Sequence, residues 1–238
     1  DLTERPLAGR LALVTGASRG IGAATAEALG RAGAHVVLTA RTAGGLEEVE
    51  DRIHAAGGSA TIAPLDMVEG DSIARLAGAI AGRWPALDIL VLNAATLGSL
   101  APVPAIEGKE FATVMTLNVL AQQAMIAAFD PLLRASASAS VIGVTSSVAT
   151  APRAYWGAYA TSKAALETLL LTYADEVKAI SNIRIAIVDP GATATRMRAR
   201  AFPGEDAATL KPASAVAEAI LGLAVDGYET GARIRVPG

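Results

Sequence analysis

Short apolar runs alternate with helical segments along the whole chain, and this alternation limits the possible fold more than any other feature. The runs lack strict alternation of apolar and polar residues, which indicates strands buried on both faces. The segments between them are rich in Ala, Leu and Glu, as helices are. Repeated strand–helix–strand units predict an α/β fold with a parallel sheet, helices on both faces and right-handed crossovers. Seven runs are present, at 11–14, 36–38, 60–63, 89–92, 141–144, 183–188 and 233–236.

The order of these units predicts a single domain over residues 1–238. Seven strands in one run leave no length for a second domain in a chain of 238 residues. We therefore expect one doubly wound sheet. The one long irregular stretch is 191–212, which contains Pro203 and Gly204. Because an irregular stretch of that length in a compact domain is usually functional, we expect it to form a lid over a substrate.

Composition and charge exclude several classes of protein. Only 18% of the residues are charged and 52% are hydrophobic, which is the opposite of a disordered composition. The net charge of −3 argues against a nucleic-acid partner. The chain has no cysteine, so a disulfide scaffold and a cysteine nucleophile are excluded. Its histidines, His35 and His54, have no acidic residues at ligand spacing, and no metal is expected.

The stretch 111–129 carries no charge over 19 residues, which is long enough to cross a bilayer. It contains Asn118, Gln122 and Gln123, whose amides would be costly in lipid. We interpret it as a helix buried in the core or at a subunit contact. The polar residues 1–10 lack the apolar region of a signal peptide. We therefore expect a soluble, cytoplasmic protein with no membrane partner.

A glycine-rich turn follows the first predicted strand and opens a helix. Its glycines are Gly16, Gly20 and Gly22. Glycine lets the backbone turn sharply and approach a pyrophosphate, and the helix N-terminus offers free N–H groups to the anion. The position between strand and helix favours a dinucleotide site over a purely structural turn. The predicted contacts are Gly16, Ser18, Arg19, Gly20, Ile21 and Gly22.

The charge of the residue that follows the second predicted strand favours a site for NADP over one for NAD. A site for NAD usually has an acidic residue there, which binds the ribose 2′-hydroxyl. This strand ends in Ala40-Arg41 instead. We expect Arg41 and Arg19 to bind a 2′-phosphate, because a guanidinium matches phosphate geometry well. The alternatives are that both arginines are solvated, or that the chain uses NAD while Arg41 points to solvent.

Further motifs stand in a fixed order after the glycine turn. Tyr159 and Lys163 form a Tyr-xxx-Lys pair, Ser146 lies thirteen residues upstream, and Asn118 lies within Leu-Asn-Val. Pro190-Gly191 follows the sixth strand. With the glycine turn, these motifs resemble those of the short-chain dehydrogenase/reductase family over essentially the whole chain, and the chain is similar to a bacterial subgroup of reductases without an assigned substrate. The resemblance implies a single-domain Rossmann fold and an oxidoreductase that uses a nicotinamide cofactor. Together with the arginines expected to bind a 2′-phosphate, it predicts NADP, with NADPH preferred over NADH.

The family assigns a catalytic role to four of these residues. Tyr159 is the implied general acid/base, and the ammonium of Lys163, four residues away on one helix, is expected to lower its pKa. Ser146 is implied to hydrogen-bond the substrate oxygen, with Ser147 as a neighbouring alternative. Asn118 is implied to hold a water that links Lys163 to solvent. Its alternative role is to satisfy buried backbone groups.

The remaining cofactor contacts are also carried over from the family. The motif after the fourth strand is altered, since Leu92 replaces an Asn and Ala95 a Gly, while Asn93 and Ala94 match. That change leaves open how closely the backbone approaches the cofactor. Lys163 is implied to hold the nicotinamide ribose in addition to its catalytic role. The other implied contacts are Asp66, Met67, Asn93, Ala94, Tyr159, Pro190, Gly191, Thr193 and Thr195.

The substrate side is predicted to be mainly apolar, so we expect a small-molecule carbonyl or secondary alcohol as the substrate. Four arginines near the predicted lid are read as a solvated surface or as a site for an anionic group on the substrate. The family resemblance implies a homodimer or homotetramer. The alternative function is a catalytically idle NADP-binding sensor or assembly protein. The apolar residues are Leu97, Leu100, Val148, Trp156, Met197 and Phe202, and the arginines are Arg153, Arg196, Arg198 and Arg200.

Overall fold

Seven parallel strands form one sheet in the computed structural model, which describes residues 5–238. Their spatial order is β3-β2-β1-β4-β5-β6-β7, so the chain winds outward in both directions from the centre. The predicted doubly wound architecture is confirmed, and each predicted run lies within a strand or overlaps one. The strands are β1 (Leu11–Thr15), β2 (His35–Thr39), β3 (Ser59–Ile62), β4 (Ile89–Leu92), β5 (Ala139–Val144), β6 (Ile183–Asp189) and β7 (Ala232–Arg235).

Helices cover both faces of this sheet, because the strands from β2 across the centre to β6 bury apolar side chains on both sides. Ala12 and Val14 of β1 pack on one face and Leu11 and Leu13 on the other. Helices α1, α2 and α8 lie on the first face and α3, α5 and α6 on the second. The helices are α1 (Gly20–Arg31), α2 (Ala43–Ala55), α3 (Ser72–Ala81), α4 (Gly108–Met115), α5 (Ala121–Ala135), α6 (Gly157–Val177), α7 (Arg196–Ala201) and α8 (Ala213–Asp226).

The centre of the sheet creates the crevice in which a ligand can bind. β1 pairs with β4, with Val14 beside Val91, although β2 and β3 separate these strands in sequence. The connections after β1 and β4 therefore leave the sheet in opposite directions. In open parallel sheets, ligands bind beyond the carboxyl ends of the strands at this switch point. The glycine turn and Asn93 both lie at this edge.

The expectation of an irregular stretch over 191–212 is wrong in part. The segment contains helix α7 and a single 3₁₀ turn at Ala207–Thr209. Thr195 caps α7, since its Oγ1 accepts a hydrogen bond from the Arg198 N–H at 3.1 Å. Because the hydroxyl satisfies an otherwise free N–H, the short helix has a defined start.

The apolar stretch 108–135 passes a test for membrane-spanning helices by length and composition alone, the one helix of the described residues to do so. A core helix passes the same test. In the structure, α4 and α5 are separated by a π-helical turn at Thr116–Leu120. One side of α5 is packed on the sheet, with Met125 and Phe129 fully buried. The predicted burial in the core is confirmed for this side.

Candidate active site

The glycine turn leaves no room for larger residues at two of its positions. A Cβ on Gly22 would lie 2.1 Å from the Gly16 backbone oxygen, and one on Gly16 would lie 3.0 Å from the Ala94 Cα. Gly16 and Gly20 also have φ of +61° and +55°, which side chains disfavour. The backbone is thus held tightly against β4 and opens into α1, whose N-terminus has no side-chain cap. This cradle fits a pyrophosphate, which would bind to the free N–H groups.

Asn93 holds the glycine turn in place. Its Nδ2 donates hydrogen bonds to the Thr15 oxygen at 3.1 Å and to the Gly16 oxygen at 3.3 Å. The backbone N–H groups of Asn93 and Ala94 both donate to Thr15 Oγ1 at 3.0 Å. The end of β4 is therefore fastened to the end of β1 through Thr15, which is fully buried. This brace forms without the Asn and Gly that Leu92 and Ala95 replace.

Arg19 and Arg41 are both exposed, and neither forms an ion pair with another described residue. The start of α2 touches the glycine turn, since a Cβ on Gly45 would lie 2.9 Å from the Ser18 Cβ. That contact brings the segment after Arg41 next to the segment that carries Arg19. The two arginines thus lie on neighbouring segments, both next to the glycine turn.

Tyr159 and Lys163 lie one turn apart on α6 and are almost completely buried, with 6% and 3% of their surface exposed. Lys163 Nζ donates a hydrogen bond to the Val144 oxygen at 2.9 Å, which ties α6 to the end of β5. The same Nζ lies 5.7 Å from the centre of the Tyr159 ring. A cation this close to a phenol can stabilise the phenolate.

Burial favours the neutral form of both side chains, so it raises the pKa of Tyr159 and lowers the pKa of Lys163. Burial first, and the charge of Asp189 second, raise the pKa of Tyr159 above its usual value of 10. Burial lowers the pKa of Lys163 to about 8, and the charge of Glu167 partly opposes that change. The pKa of Tyr159 is therefore raised, not lowered as expected, because removal from water dominates.

Asn118 lies in the π-helical turn between α4 and α5 and is fully buried. Its Oδ1 accepts from the Thr96 N–H at 2.9 Å, and its Nδ2 donates to the Thr96 oxygen and to Ser162 Oγ. Ser162 Oγ in turn donates to the Tyr159 backbone oxygen at 2.7 Å. The side chain thus connects the π turn to the helix that carries Tyr159. Such turns often mark functional sites.

Ser146 begins a 3₁₀ turn directly after β5, two residues beyond Val144, the acceptor of the Lys163 bond. Its Oγ makes only a long contact of 3.4 Å with the Val148 N–H, so the hydroxyl is free to hydrogen-bond a ligand. Val148 packs against Tyr159 in one apolar cluster. Ser147 lies inside the same turn, where its backbone oxygen accepts the Thr150 N–H and hydroxyl.

The other predicted cofactor contacts lie along the same edge of the sheet. Thr193 is buried and its Oγ1 donates to the Pro190 oxygen at 3.1 Å, while Thr195 lies 3.7 Å from the position of a Gly20 Cβ. The segment after β6 therefore reaches the glycine turn. Asp66 accepts the Val68 N–H in a tight turn after β3, and Met67 is buried in the core. Both side chains are thus used by the fold itself.

Helix α7 packs over Tyr159 through aromatic contacts. The ring of Trp156 meets that of Tyr159 edge-on at 5.9 Å and lies 5.7 Å from that of Phe202. The guanidinium of Arg198 stacks on Phe202 at 3.8 Å and makes two 2.6 Å hydrogen bonds to Glu205. Arg198 is therefore neutralised and structural. Neither role considered for the four arginines, a solvated surface or a site for an anionic group, therefore fits Arg198.

The predicted apolar lining is divided by the fold. Leu97, Val148, Trp156 and Met197 pack with Tyr159 in one small cluster, and Phe202 joins it through Trp156. Leu100 is partly exposed and is not part of this cluster.

Sequence reasoning missed three charged residues near Tyr159 and Lys163. Glu167 and Asp189 are buried, and Arg233 of β7 contacts both carboxylates. Glu167 lies four residues after Lys163 on α6, a spacing that places the two on one face. That spacing could have identified Glu167 as a neighbour of Lys163, whereas nothing in the sequence links Arg233 to α6. Among the described residues, no group of three or more His, Asp or Glu side chains is placed to hold a metal ion.

Comparison with known proteins agrees with this arrangement. A family model described as short chain dehydrogenase matches residues 10–206. The chain is 38% identical over 205 residues to the uncharacterized oxidoreductase YciK of Escherichia coli K12, covering 85% of this chain and 81% of that protein. A short chain dehydrogenase from Salmonella enterica serovar Typhi superposes with a TM-score of 0.95 at 34% identity over 100% of both chains.

A chain from Shigella flexneri 2a, solved in complex with NADP, superposes with a TM-score of 0.94 at 35% identity, covering 98% of this chain and 99% of that one. The order of the sheet, the glycine turn and the Tyr159–Lys163 pair are thus accompanied by a family match over most of the length. The chain belongs to the short-chain dehydrogenase family of oxidoreductases.

Proposed function

We propose that the chain transfers a hydride between NADP(H) and the carbonyl or secondary alcohol of a mainly apolar small molecule. The observation that carries the proposal is the burial of Tyr159 and Lys163 on one face of α6, at the edge of the sheet that holds the glycine cradle. The NADP complex of the similar Shigella flexneri chain supports the choice of cofactor. When bound, the nicotinamide would supply the hydride in reduction and accept it in oxidation.

The protein's own residues would bind and protonate the substrate. The Tyr159 hydroxyl would donate its proton to the carbonyl oxygen in reduction and accept a proton from the alcohol in oxidation. The Ser146 hydroxyl would donate a hydrogen bond to the same oxygen and stabilise its developing negative charge. Protonated Lys163 would favour the phenolate that Tyr159 forms after donating its proton. Trp156 and the residues of α7 would exclude water.

Replacing Tyr159 by phenylalanine tests the catalytic role. We expect Tyr159→Phe to lower kcat by roughly 10²- to 10⁴-fold with a panel of apolar ketones and aldehydes, because the proton donor is lost. The Kd for NADPH, measured by titration calorimetry, should change little. Wild-type protein that binds NADPH and turns over no carbonyl or alcohol would contradict the proposal and favour an idle NADP-binding protein.

The cofactor preference is tested at Arg41. We expect wild-type protein to bind NADPH more tightly than NADH, and Arg41→Ala to lose most of that preference. A charge-assisted bond to phosphate contributes about 1.5–3 kcal/mol, which corresponds to a change in NADPH affinity of roughly tenfold or more. NADH affinity should be unaffected, and it serves as the internal control. Equal binding of both cofactors by the wild type would overturn the role of the arginines.

We also propose that the protein is cytoplasmic and forms a homodimer or homotetramer. Leu120 at the π-helical turn and Leu171 on α6 are 61% and 44% exposed, and such apolar side chains are commonly covered in subunit contacts. Light scattering on the purified protein measures the mass directly. Replacing both leucines by aspartate should give the monomer mass of 24.0 kDa if this surface is the contact. A monomeric wild type would refute the proposed assembly.

A further inference from the structure

Two carboxylates are buried beside the catalytic pair. Asp189, at the end of β6, is 1% exposed, and Glu167, on α6, is 7% exposed. Asp189 accepts the Gly191 N–H at 3.0 Å, and Glu167 accepts the Thr145 hydroxyl at 2.6 Å. These bonds satisfy oxygen atoms but supply no positive charge. A buried carboxylate without a counter-ion is strongly destabilised.

Arg233 supplies that positive charge to both carboxylates. Its Nε and Nη2 each lie 3.3 Å from an oxygen of Glu167, and its Nη2 lies 3.8 Å from Asp189 Oδ2. Nη2 also reaches Thr150 Oγ1 at 3.5 Å. The guanidinium comes from β7, the last strand, while the carboxylates come from β6 and α6. One side chain thus joins three elements around the site.

The same two carboxylates act on Tyr159 and Lys163. The Asp189 charge opposes ionisation of Tyr159, and the Glu167 charge favours the protonated form of Lys163. Lys211 of the segment after β6 also lies within range of Asp189. The charged groups packed here are therefore Lys163, Arg233 and Lys211 against Glu167 and Asp189. Removing one of these charges changes the electrostatic potential at the others.

We propose that Arg233 is a positioning residue that sets the protonation state of Lys163 by neutralising Glu167 and Asp189. The link to catalysis rests on the proposed function, in which Lys163 assists Tyr159. Without Arg233, two uncompensated carboxylates hold the proton on Lys163 and also on Tyr159. Without the Glu167 charge, Arg233 instead repels the ammonium, and Lys163 loses its proton more easily.

The test measures the Lys163 pKa directly, with no substrate. The chain has four lysines, so NMR of protein labelled with ¹³C at lysine Cε gives four signals, and Lys163→Met identifies one of them. We expect Arg233→Met to raise the Lys163 pKa by roughly one unit and Glu167→Gln to lower it by a similar amount. The double variant should return it close to the wild-type value, because the net charge is restored.

Two controls separate electrostatics from loss of structure. Arg233→Lys keeps the charge and should leave the Lys163 pKa almost unchanged. Arg235→Met removes an exposed arginine two residues along β7 and should also have little effect. If Arg233→Met does not fold, two measurements still test the proposal. The Lys163 pKa should be lower in Glu167→Gln and unchanged in Arg233→Lys. A Lys163 pKa that moves in the same direction in Arg233→Met and Glu167→Gln, or in neither, would overturn it.

Activity gives the second readout. The pH at which kcat/KM changes should be higher in Arg233→Met and lower in Glu167→Gln than in the wild type, because it follows the Lys163 pKa. If the NMR shifts occur while the pH profiles of an active enzyme stay fixed, Arg233 does not position the catalytic pair. If the wild type turns over no substrate, the proposed function fails, and the NMR result still decides the role of Arg233.

Discussion

Lys163 is an ionisable group removed almost completely from water, and its replacement should make the protein more stable. Burial lowers its pKa from 10.5 to about 8, which corresponds to about 3 kcal/mol of destabilisation when the lysine is protonated. Lys163→Met removes this cost. It also leaves the Val144 oxygen without its 2.9 Å donor, a loss of about 1 kcal/mol. We therefore expect the free energy of unfolding at pH 7 to rise by about 2 kcal/mol, with loss of activity.

The stability difference between Lys163→Met and the wild type should depend on pH. Between pH 8 and 10.5, the unfolded chain keeps a proton on Lys163 that the folded chain has released, so wild-type stability rises with pH in that window. Below pH 8 the full cost is present, and above 10.5 it disappears. The advantage of Lys163→Met should therefore shrink from pH 8 to 10. Urea unfolding at pH 7, 8, 9 and 10 without cofactor measures it.

Lys178→Met is the matched control, because Lys178 has an exposed side chain in an ion pair with Asp175. Its effect on stability should be small at every pH. If Lys163→Met were less stable than the wild type by a constant amount at all four pH values, the lysine would be favourably solvated in the folded state, and the reasoning from burial would be refuted.

The remaining predictions concern backbone and turn geometry. Gly22→Ala should abolish measurable NADPH binding, because its Cβ would lie 2.1 Å from a backbone oxygen, whereas Gly44→Ala, with open space around it, should leave binding intact in the same calorimetric titration. Tyr155 has φ of +74° and is 60% exposed, so Tyr155→Gly should raise the free energy of unfolding by about 1 kcal/mol in urea titrations; an unchanged or lower value would mean that the strain is absent. Asn93→Ala should weaken NADPH binding roughly tenfold by releasing the glycine turn, and an unchanged Kd would contradict that role.

Local pattern was sufficient for the sheet and for the glycine turn. Strands buried on both faces need continuous apolar runs, and a pyrophosphate turn needs glycine at fixed positions. Both features can therefore be predicted from residues that are close together in the sequence. The segment 191–212 was predicted less well. Its helix α7 is only six residues long and depends on the Thr195 cap and on contacts of Phe202 with Trp156, a residue far away in sequence.

The fold class, the glycine turn and the Tyr159–Lys163 pair could be predicted from the amino-acid sequence, because each follows from a pattern among neighbouring residues. The balance of the charges around that pair depends on how distant segments pack. Arg233 lies 66 residues from Glu167 and meets it because β7 lies beside β6, the strand on which α6 packs. The pKa shifts of Tyr159 and Lys163 follow mainly from burial, with smaller effects of Asp189 on Tyr159 and of Glu167 on Lys163. Removal from water is a property of the packed molecule, and no local pattern contains it.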